Sequence, residues 1–161
     1  MITKMRGISL GVLTADCVPV ILYDSKNKII GCIHAGWKGA FKNIVRNTIK
    51  KIKKISSNSK IYASVGPCIG LKNYEVDLKF YKKFILRSAK NKLYFLRKSK
   101  SKKLFNLRRF VTDKLKECKV EVDQVNHDTF AEKNKFFSFR RSCILKQKDY
   151  GRCISTIGML N

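Results

Sequence analysis

Histidine, proline and paired cysteine spacings are scarce in this chain, and each scarcity removes a class of protein. Two histidines, two prolines and one tryptophan occur in 161 residues, and acidic residues number 11 against 36 Lys and Arg. No apolar run approaches the roughly 20 residues that a membrane-spanning helix needs. Lys4 and Arg6 precede an apolar run over residues 8–13, but that run is too short for a signal peptide, and Asp16 stands where a small residue would precede cleavage. The expectation is a soluble, cytoplasmic chain. The six cysteines (Cys17, Cys32, Cys68, Cys118, Cys143 and Cys153) contain no C-x-x-C pair and no finger-like spacing. Several sit in apolar runs, where a free thiol behaves as a small hydrophobe. This points to a reducing compartment and away from a secreted disulfide scaffold. Also absent are G-x-S-x-G, H-E-x-x-H and G-x-G-x-x-G, the signatures of hydrolase elbows, zinc proteases and dinucleotide folds. With no repeat, no linker and few Gly-Pro dipeptides, the chain reads as one domain over residues 1–161.

The formal charge of +25 invites a nucleic-acid reading, densest at residues 97–109 (RKSKSKKLFNLRR). Only nine of the 36 basic residues are Arg, while Lys, Asn and Ile are abundant throughout. That pattern fits a coding bias toward AT-rich codons better than a patch of clustered Arg. Net charge by itself speaks to solubility and non-specific association. Nucleic acid is therefore not the expected partner, and a basic nucleic-acid-binding module is kept as the alternative.

Apolar periodicity divides the chain into mixed α/β elements. Residues 8–23 read as two strands around an Asp16-Cys17 turn, 24–28 as a polar turn, and 29–34 as the next strand. Gly36 and Gly39 open a helix over 40–54 whose residues Phe41, Ile44, Val45, Ile49 and Ile52 share one face. A loop at 56–59 leads to a strand over 61–65, stopped by Gly66-Pro67. Asp77 is an expected N-cap for a helix to residue 90 with Leu78, Tyr81 and Ile85 inward, and Asn106 for a third with Leu107, Phe110, Val111, Leu115 and Cys118 inward. Residues 120–125, 136–140 and 153–160 read as strands.

Two motifs carry the chemistry: Thr14-Ala15-Asp16-Cys17 and His34-Ala35-Gly36-Trp37-Lys38-Gly39. Each ends an apolar strand, so a thiol and an imidazole meet at one sheet edge, and both are ligands that Zn²⁺ and Cu ions favour. Taken singly, Cys17 reads as a buried thiol and His34 as a satisfied core histidine; a Cys/His nucleophilic pair is a further option. Asp16 is placed to orient a ligand, and Trp37 to wall off a dry pocket. The glycines around Gly36 offer free backbone N–H groups to an anion near residues 36–40. In Phe136-Phe137-Ser138-Phe139-Arg140-Arg141 the aromatics are placed to face a base, with Arg140 and Arg141 to hold an anion; the plainer reading is an edge strand with exposed arginines. His127-Asp128 reads as a turn cap.

Together TADCVPVILYD (14–24), GCIHAGWKGA (31–40), ASVGPCIG followed by YEV (63–76), FFSFRR (136–141) and GRCIS (151–155) resemble the laccase-domain family, also called multicopper polyphenol oxidase-like proteins and described as purine nucleoside phosphorylases with adenosine deaminase activity. The resemblance implies a three-layer α/β domain, a mixed sheet with flanking helices. It also implies a mononuclear zinc site (copper in some accounts) and phosphorolysis of adenosine, inosine, guanosine and methylthioadenosine. Cys17 and His34 match two of its three metal ligands. The third is a histidine of an upstream Gln-x-His type motif without a counterpart here, and a basic substrate-binding residue expected upstream is missing too. Asn106 replaces a usual Asp, Tyr150 a usual Thr, and the segment from Arg141 to Gly151 is longer than in the family. The expectation is an N-terminally truncated member, with an inactive chain as the alternative reading. A multicopper oxidase would need clusters of histidine, and this chain has two.

Overall fold

In a computed structural model, described for residues 1–56 and 58–161, the strand-forming runs assemble around one mixed sheet. Its strands are β1 (Ile2–Thr3), β3 (Val18–Asp24), β4 (Ile29–Ala35), β5 (Ile61–Val65) and β9 (Glu121–Gln124), in the order β1-β4-β3-β5-β9. All neighbours are antiparallel except β5 and β9, which run parallel after a crossover through α4 (Leu107–Glu117). The near-continuous apolar runs of β3 and β4 are explained by cover on both faces. On one face pack α2 (Ile44–Ile55) and α4. On the other lies a two-stranded ribbon of β2 (Ser9–Thr14) and β10 (Cys153–Gly158), with Leu13 opposite Ile154. The expected three layers and mixed sheet are present, with the long helices gathered on one face.

The helix expected over 40–54 is two helices, α1 (Trp37–Phe41) and α2, because Asn43 adopts a left-handed φ of 64° between them. Asn tolerates that conformation better than most residues. The inward positions still match: Val45, Ile49 and Ile52 are buried and Phe41 and Ile44 pack against the core. In the loop expected at 56–59, residue 57 lies outside the described residues.

A second, three-stranded sheet of β6 (Glu75–Asp77), β7 (Phe95–Arg97) and β8 (Lys102–Phe105) carries α3 (Leu78–Arg87). Asp77 and Asn106 cap α3 and α4 as expected, accepting from Phe80 N at 2.7 Å and Arg109 N at 3.0 Å. The stripe of α3 differs: Phe84 is its buried residue, with Phe80 and Tyr81 packed against the core. Phe84 lies 4.9–5.6 Å from Phe41, Phe80, Phe95, Phe105 and Phe110, centroid to centroid, mostly edge-on. The basic segment 97–109 therefore forms no single face. Its residues 98–101 are the exposed link between β7 and β8, while Phe105 and Leu107 are buried.

The expected strand at 136–140 is the largest revision. Residues Phe139–Ile144 form helix α5, with Ser138 as N-cap accepting from Arg141 N at 3.1 Å. The apolar–polar alternation of this segment imitates a strand, but Ser138 is a residue that favours helix starts.

At the far end of β3, Asp24 is fully buried and accepts hydrogen bonds from Asn27 Nδ2 (2.9 Å), Lys60 N (3.1 Å) and Lys26 N (3.2 Å), tying the β3–β4 turn to the strand entering β5. Burial raises its pKa, but the bonds from Asn27, Ser59, Lys60 and Lys26 outweigh it and hold the carboxyl below its ordinary value of 3.8.

Two outcomes follow from this packing. Phe84→Ala is expected to destabilise the fold by about 3–5 kcal/mol in denaturant titration, as for other buried phenylalanines; a loss below about 1 kcal/mol would show that the aromatic cluster is not the core's keystone. Because the folded pKa of Asp24 is depressed, its contribution is present above pH 3.8 and is lost as pH falls through the folded value. Asp24→Asn should accordingly flatten the acid limb of the stability curve below about pH 4, and an unchanged acid limb would contradict the assignment.

Candidate functional site

The Asp16-Cys17 turn between β2 and β3 is built around a carboxylate. Asp16 sits in the left-handed region at φ 76° and is 8% exposed. Its Oδ1 accepts from Thr129 Oγ1 at 2.7 Å, and its Oδ2 from Ser138 Oγ at 2.9 Å and Arg140 N at 2.6 Å. Its carbonyl accepts from Ile69 N at 3.1 Å. Both oxygens are spent on structure, so Asp16 fastens three segments together rather than orienting a ligand through its carboxylate.

Beside this clamp lies a cavity of about 540 Å³ lined by Asp16, Cys17, Trp37, Tyr74, Phe139 and Arg140, with Ile69, Leu107, Cys143 and Ile144 completing an apolar wall. The volume is in the range of small-ligand sites. Trp37 occupies the wall position expected of it. Phe139 faces the cavity, whereas Phe136 packs against His127 (centroids 5.4 Å apart) and Phe137 against Gly151. Arg140 borders the cavity with its guanidinium 5.5 Å from the Tyr74 ring centroid, and its Nη2 donates to Glu75 O at 3.0 Å. Arg141 does not join it: its guanidinium donates to the carbonyls of Thr129 (2.9 Å), Phe130 (2.8 Å) and Phe136. This arginine closes a loop, so of the pair only Arg140 borders the cavity.

Cys17 and His34 do converge, on Gly36. A Cβ at residue 36 would lie 2.8 Å from Cys17 Sγ and 3.9 Å from His34 Nε2, so glycine keeps open the space that the two side chains border. Burial pushes the Cys17 thiol up to about 11, with Asp16 and Cys68 adding to the rise. It is therefore a protonated thiol at neutral pH, which argues against an activated Cys/His nucleophile. Among the described residues no group of three His, Cys, Asp or Glu side chains converges on one point. The donor pair thus matches zinc or copper in kind and is one protein ligand short of the three found at catalytic zinc sites.

The remaining candidates settle into scaffolding. Helix α1 is a single turn of five residues capped by Gly36, so the glycines around residue 36 do not lead into a long helix. Asp128 caps a turn as expected, accepting from Phe130 N at 3.0 Å and from Asn73 Nδ2 at 2.7 Å. His127 pairs with Glu132 at 2.8 Å, away from the cavity. Cys68 is fully buried; burial raises its thiol pKa against the opposing pull of Arg108, which donates to its Sγ at 3.4 Å. Tyr74 is the cavity residue that sequence reasoning passed over. Its place in the Tyr74-Glu75-Val76 match was the available signal.

Comparison with known proteins adds identity to this geometry. A purine nucleoside phosphorylase of Rickettsia conorii is 39% identical over 160 residues, which is 98% of this chain and 66% of that protein. A purine nucleoside phosphorylase of Rickettsia prowazekii is 40% identical over 144 residues, 88% of this chain and 59% of that protein. The chain thus spans somewhat less than two thirds of the length of these relatives. The crystal structure of the Bacillus licheniformis hypothetical protein YfiH superposes with a TM-score of 0.88 at 28% identity, covering 98% of this chain and 60% of that one. The model of one family, described as multi-copper polyphenol oxidoreductase laccase, matches residues 1–160, and the chain belongs to that family.

Proposed function

We propose that the cavity beside Cys17 binds purine nucleosides and supports their phosphorolysis. The observation that carries the reading is the make-up of the cavity wall: three aromatic residues, Trp37, Tyr74 and Phe139, with Arg140 as a fixed cation among them. A flat apolar base stacks on such walls, and relatives across the family are named purine nucleoside phosphorylases. In the reaction a phosphate oxygen bonds to the ribose anomeric carbon while the N-glycosidic bond breaks. Its electron pair leaves with the base, which takes up the proton that hydrogen phosphate gives up, so the products are a free purine and ribose 1-phosphate. Within this chain Trp37 and Phe139 hold the base plane, the apolar wall keeps water from the anomeric carbon, and Arg140 offsets negative charge that develops in the site.

The proposal includes a metal, zinc with copper as the alternative, held by Cys17 and His34 together with a further ligand. When bound it supplies a Lewis acid and a water of lowered pKa, the chemistry that adenosine deamination requires. The copper-cluster chemistry in the family's descriptive name demands several histidines, and a chain with two does not support it.

A second reading, an inactive chain that retains fold and cavity, rests on the donor count: two ligands leave a metal labile. Turnover decides between them. With inosine and phosphate the chain is expected to release hypoxanthine, and with adenosine alone to release inosine and ammonia. Absence of both under zinc supplementation favours the inactive reading.

Metal capture has its own signature. Because the Cys17 thiol must lose a proton to ligate, zinc uptake in equilibrium dialysis should strengthen as pH rises from 6 to 9 and weaken at least tenfold in Cys17→Ala or His34→Ala. Equal uptake by wild type and both variants would remove the metal from this site.

A further inference from the structure

Helix α3 turns one side to the core and leaves the other uncovered. Phe84 is buried, and Phe80 and Tyr81 pack against the core. On the outer side Leu78, Lys79, Lys82, Lys83 and Leu86 line one open groove, and Leu86 is 88% exposed. A single exposed leucine is ordinary. Here Leu93, in the short 3-10 helix Ala89–Tyr94, and Leu96, in β7, follow at 45% and 53% exposure.

The charge around these leucines has one sign. Residues 78–112 contain thirteen Lys or Arg and no Asp or Glu. The carboxylates that bracket this stretch are engaged. Glu75 pairs with Lys102 at 3.5 Å, Asp77 caps α3 by accepting from Phe80 N, and Asp113 lies 3.7 Å from Arg109. Of the α3 cations, Lys83 lies over the Trp37 and Phe41 rings, and Arg87 lies over Phe41 and donates to its carbonyl. Lys79 and Lys82 enter no ion pair among the described residues, and they share the groove with Leu86. The partner that complements this face is anionic and also offers apolar material to a leucine.

Two anionic partners compete for it. Single-stranded nucleic acid is held by cations together with aromatic rings on which bases stack. The aromatic residues of α3 are spent on the core, and lysine and leucine are what it turns outward. An anionic bilayer offers both elements of the complement: phosphate headgroups for the ammoniums, and the acyl boundary beneath them for the leucine. We propose that the outer face of α3, through Lys79, Lys82 and Leu86, docks on a bilayer surface rich in anionic lipid. The contact is peripheral, since α3 has ten residues and no helix among the described residues is long and apolar enough to cross a membrane.

The test is co-sedimentation of the full chain with vesicles of mixed phosphatidylglycerol and phosphatidylcholine, and with vesicles of phosphatidylcholine alone. Wild type is compared with Leu86→Ser, with Lys79→Gln/Lys82→Gln, and with Lys50→Gln/Lys54→Gln, which removes the same charge from exposed positions of α2. Binding is expected for the anionic vesicles alone, weakening as salt rises. Loss of Lys79 and Lys82 should reduce partitioning about tenfold. Leu86→Ser should reduce it about threefold, with melting temperatures unchanged. The α2 double variant should stay within about twofold of wild type. Equal losses in the two lysine double variants would show that total charge, not this face, holds the vesicle, and would overturn the proposal. Wild-type partitioning by Leu86→Ser would remove the bilayer as the occupant, and a parallel loss of affinity for labelled oligothymidine in Lys79→Gln/Lys82→Gln would then assign the face to nucleic acid. Absence of binding to the anionic vesicles overturns the inference outright.

Discussion

The clamp at Asp16 is the interaction on which the site depends. A carboxyl group 8% exposed to solvent accepts from two hydroxyls and one amide, all from residues 129–140, more than a hundred positions along the chain. Removing it would leave those donors without their partner inside the fold, which costs more than a hydrogen bond at the surface. Because Asp16 adopts a left-handed φ, the chain turns sharply and Cys17 emerges beside Gly36. Because Ser138 and the Arg140 amide are pinned to the same carboxylate, α5 starts where Phe139 and Arg140 reach the cavity. One residue thus fixes the turn that carries the thiol and the helix that carries the cation.

That arrangement divides the polar groups into two sets with different work. Asp16, Arg108, Arg141 and Asp128 have their capacity filled by backbone and by each other's segments, so they hold three loops in register. Cys17, His34, Tyr74 and Arg140 retain open valences and share the space around the cavity and Gly36. The raised pKa of Cys17 belongs to this division. Without a cation close by, the thiol stays neutral and inert, and only a metal or an equivalent positive charge would draw out its thiolate. Family membership and the donor pair are therefore compatible with each other, and the chemistry turns on what completes the coordination.

Much of this was legible in the chain, and the reasons are local. Strands β2 to β5 end in turn residues, and Asp77 and Asn106 are good N-caps followed by apolar spacing of helical period, so existence and rough extent of those elements could be read directly. The convergence of Cys17 with His34 was legible because β3 and β4 are adjacent antiparallel strands, with Val18 opposite Ala35. Other features were hidden by competing signals. Alternation in residues 136–140 outweighed the single capping signal of Ser138, and two-residue β1 is too short to show a period. The division of labour between Arg140 and Arg141 depends on which way a helix turns neighbouring side chains, roughly 100° apart, and no spacing rule reports that in advance.

The excess of lysine acquires a physical role once the rings are placed. Thirty-six basic residues drawn from a biased codon supply would be idle on a surface that had nothing to cover. Here Lys83 lies 5.3 Å from the centroids of both Trp37 and Phe41, Lys60 5.2 Å from Tyr62, Lys103 5.2 Å from Tyr81 and Lys114 5.6 Å from Phe110. In each case it is the ammonium that lies over the aromatic face, a cation on a π surface. A chain of this length that invests 17 aromatic residues in two sheets and one α3 cluster cannot bury them all. Long cationic side chains are the available cover, and Lys83 brings one of them to Trp37 in the cavity wall.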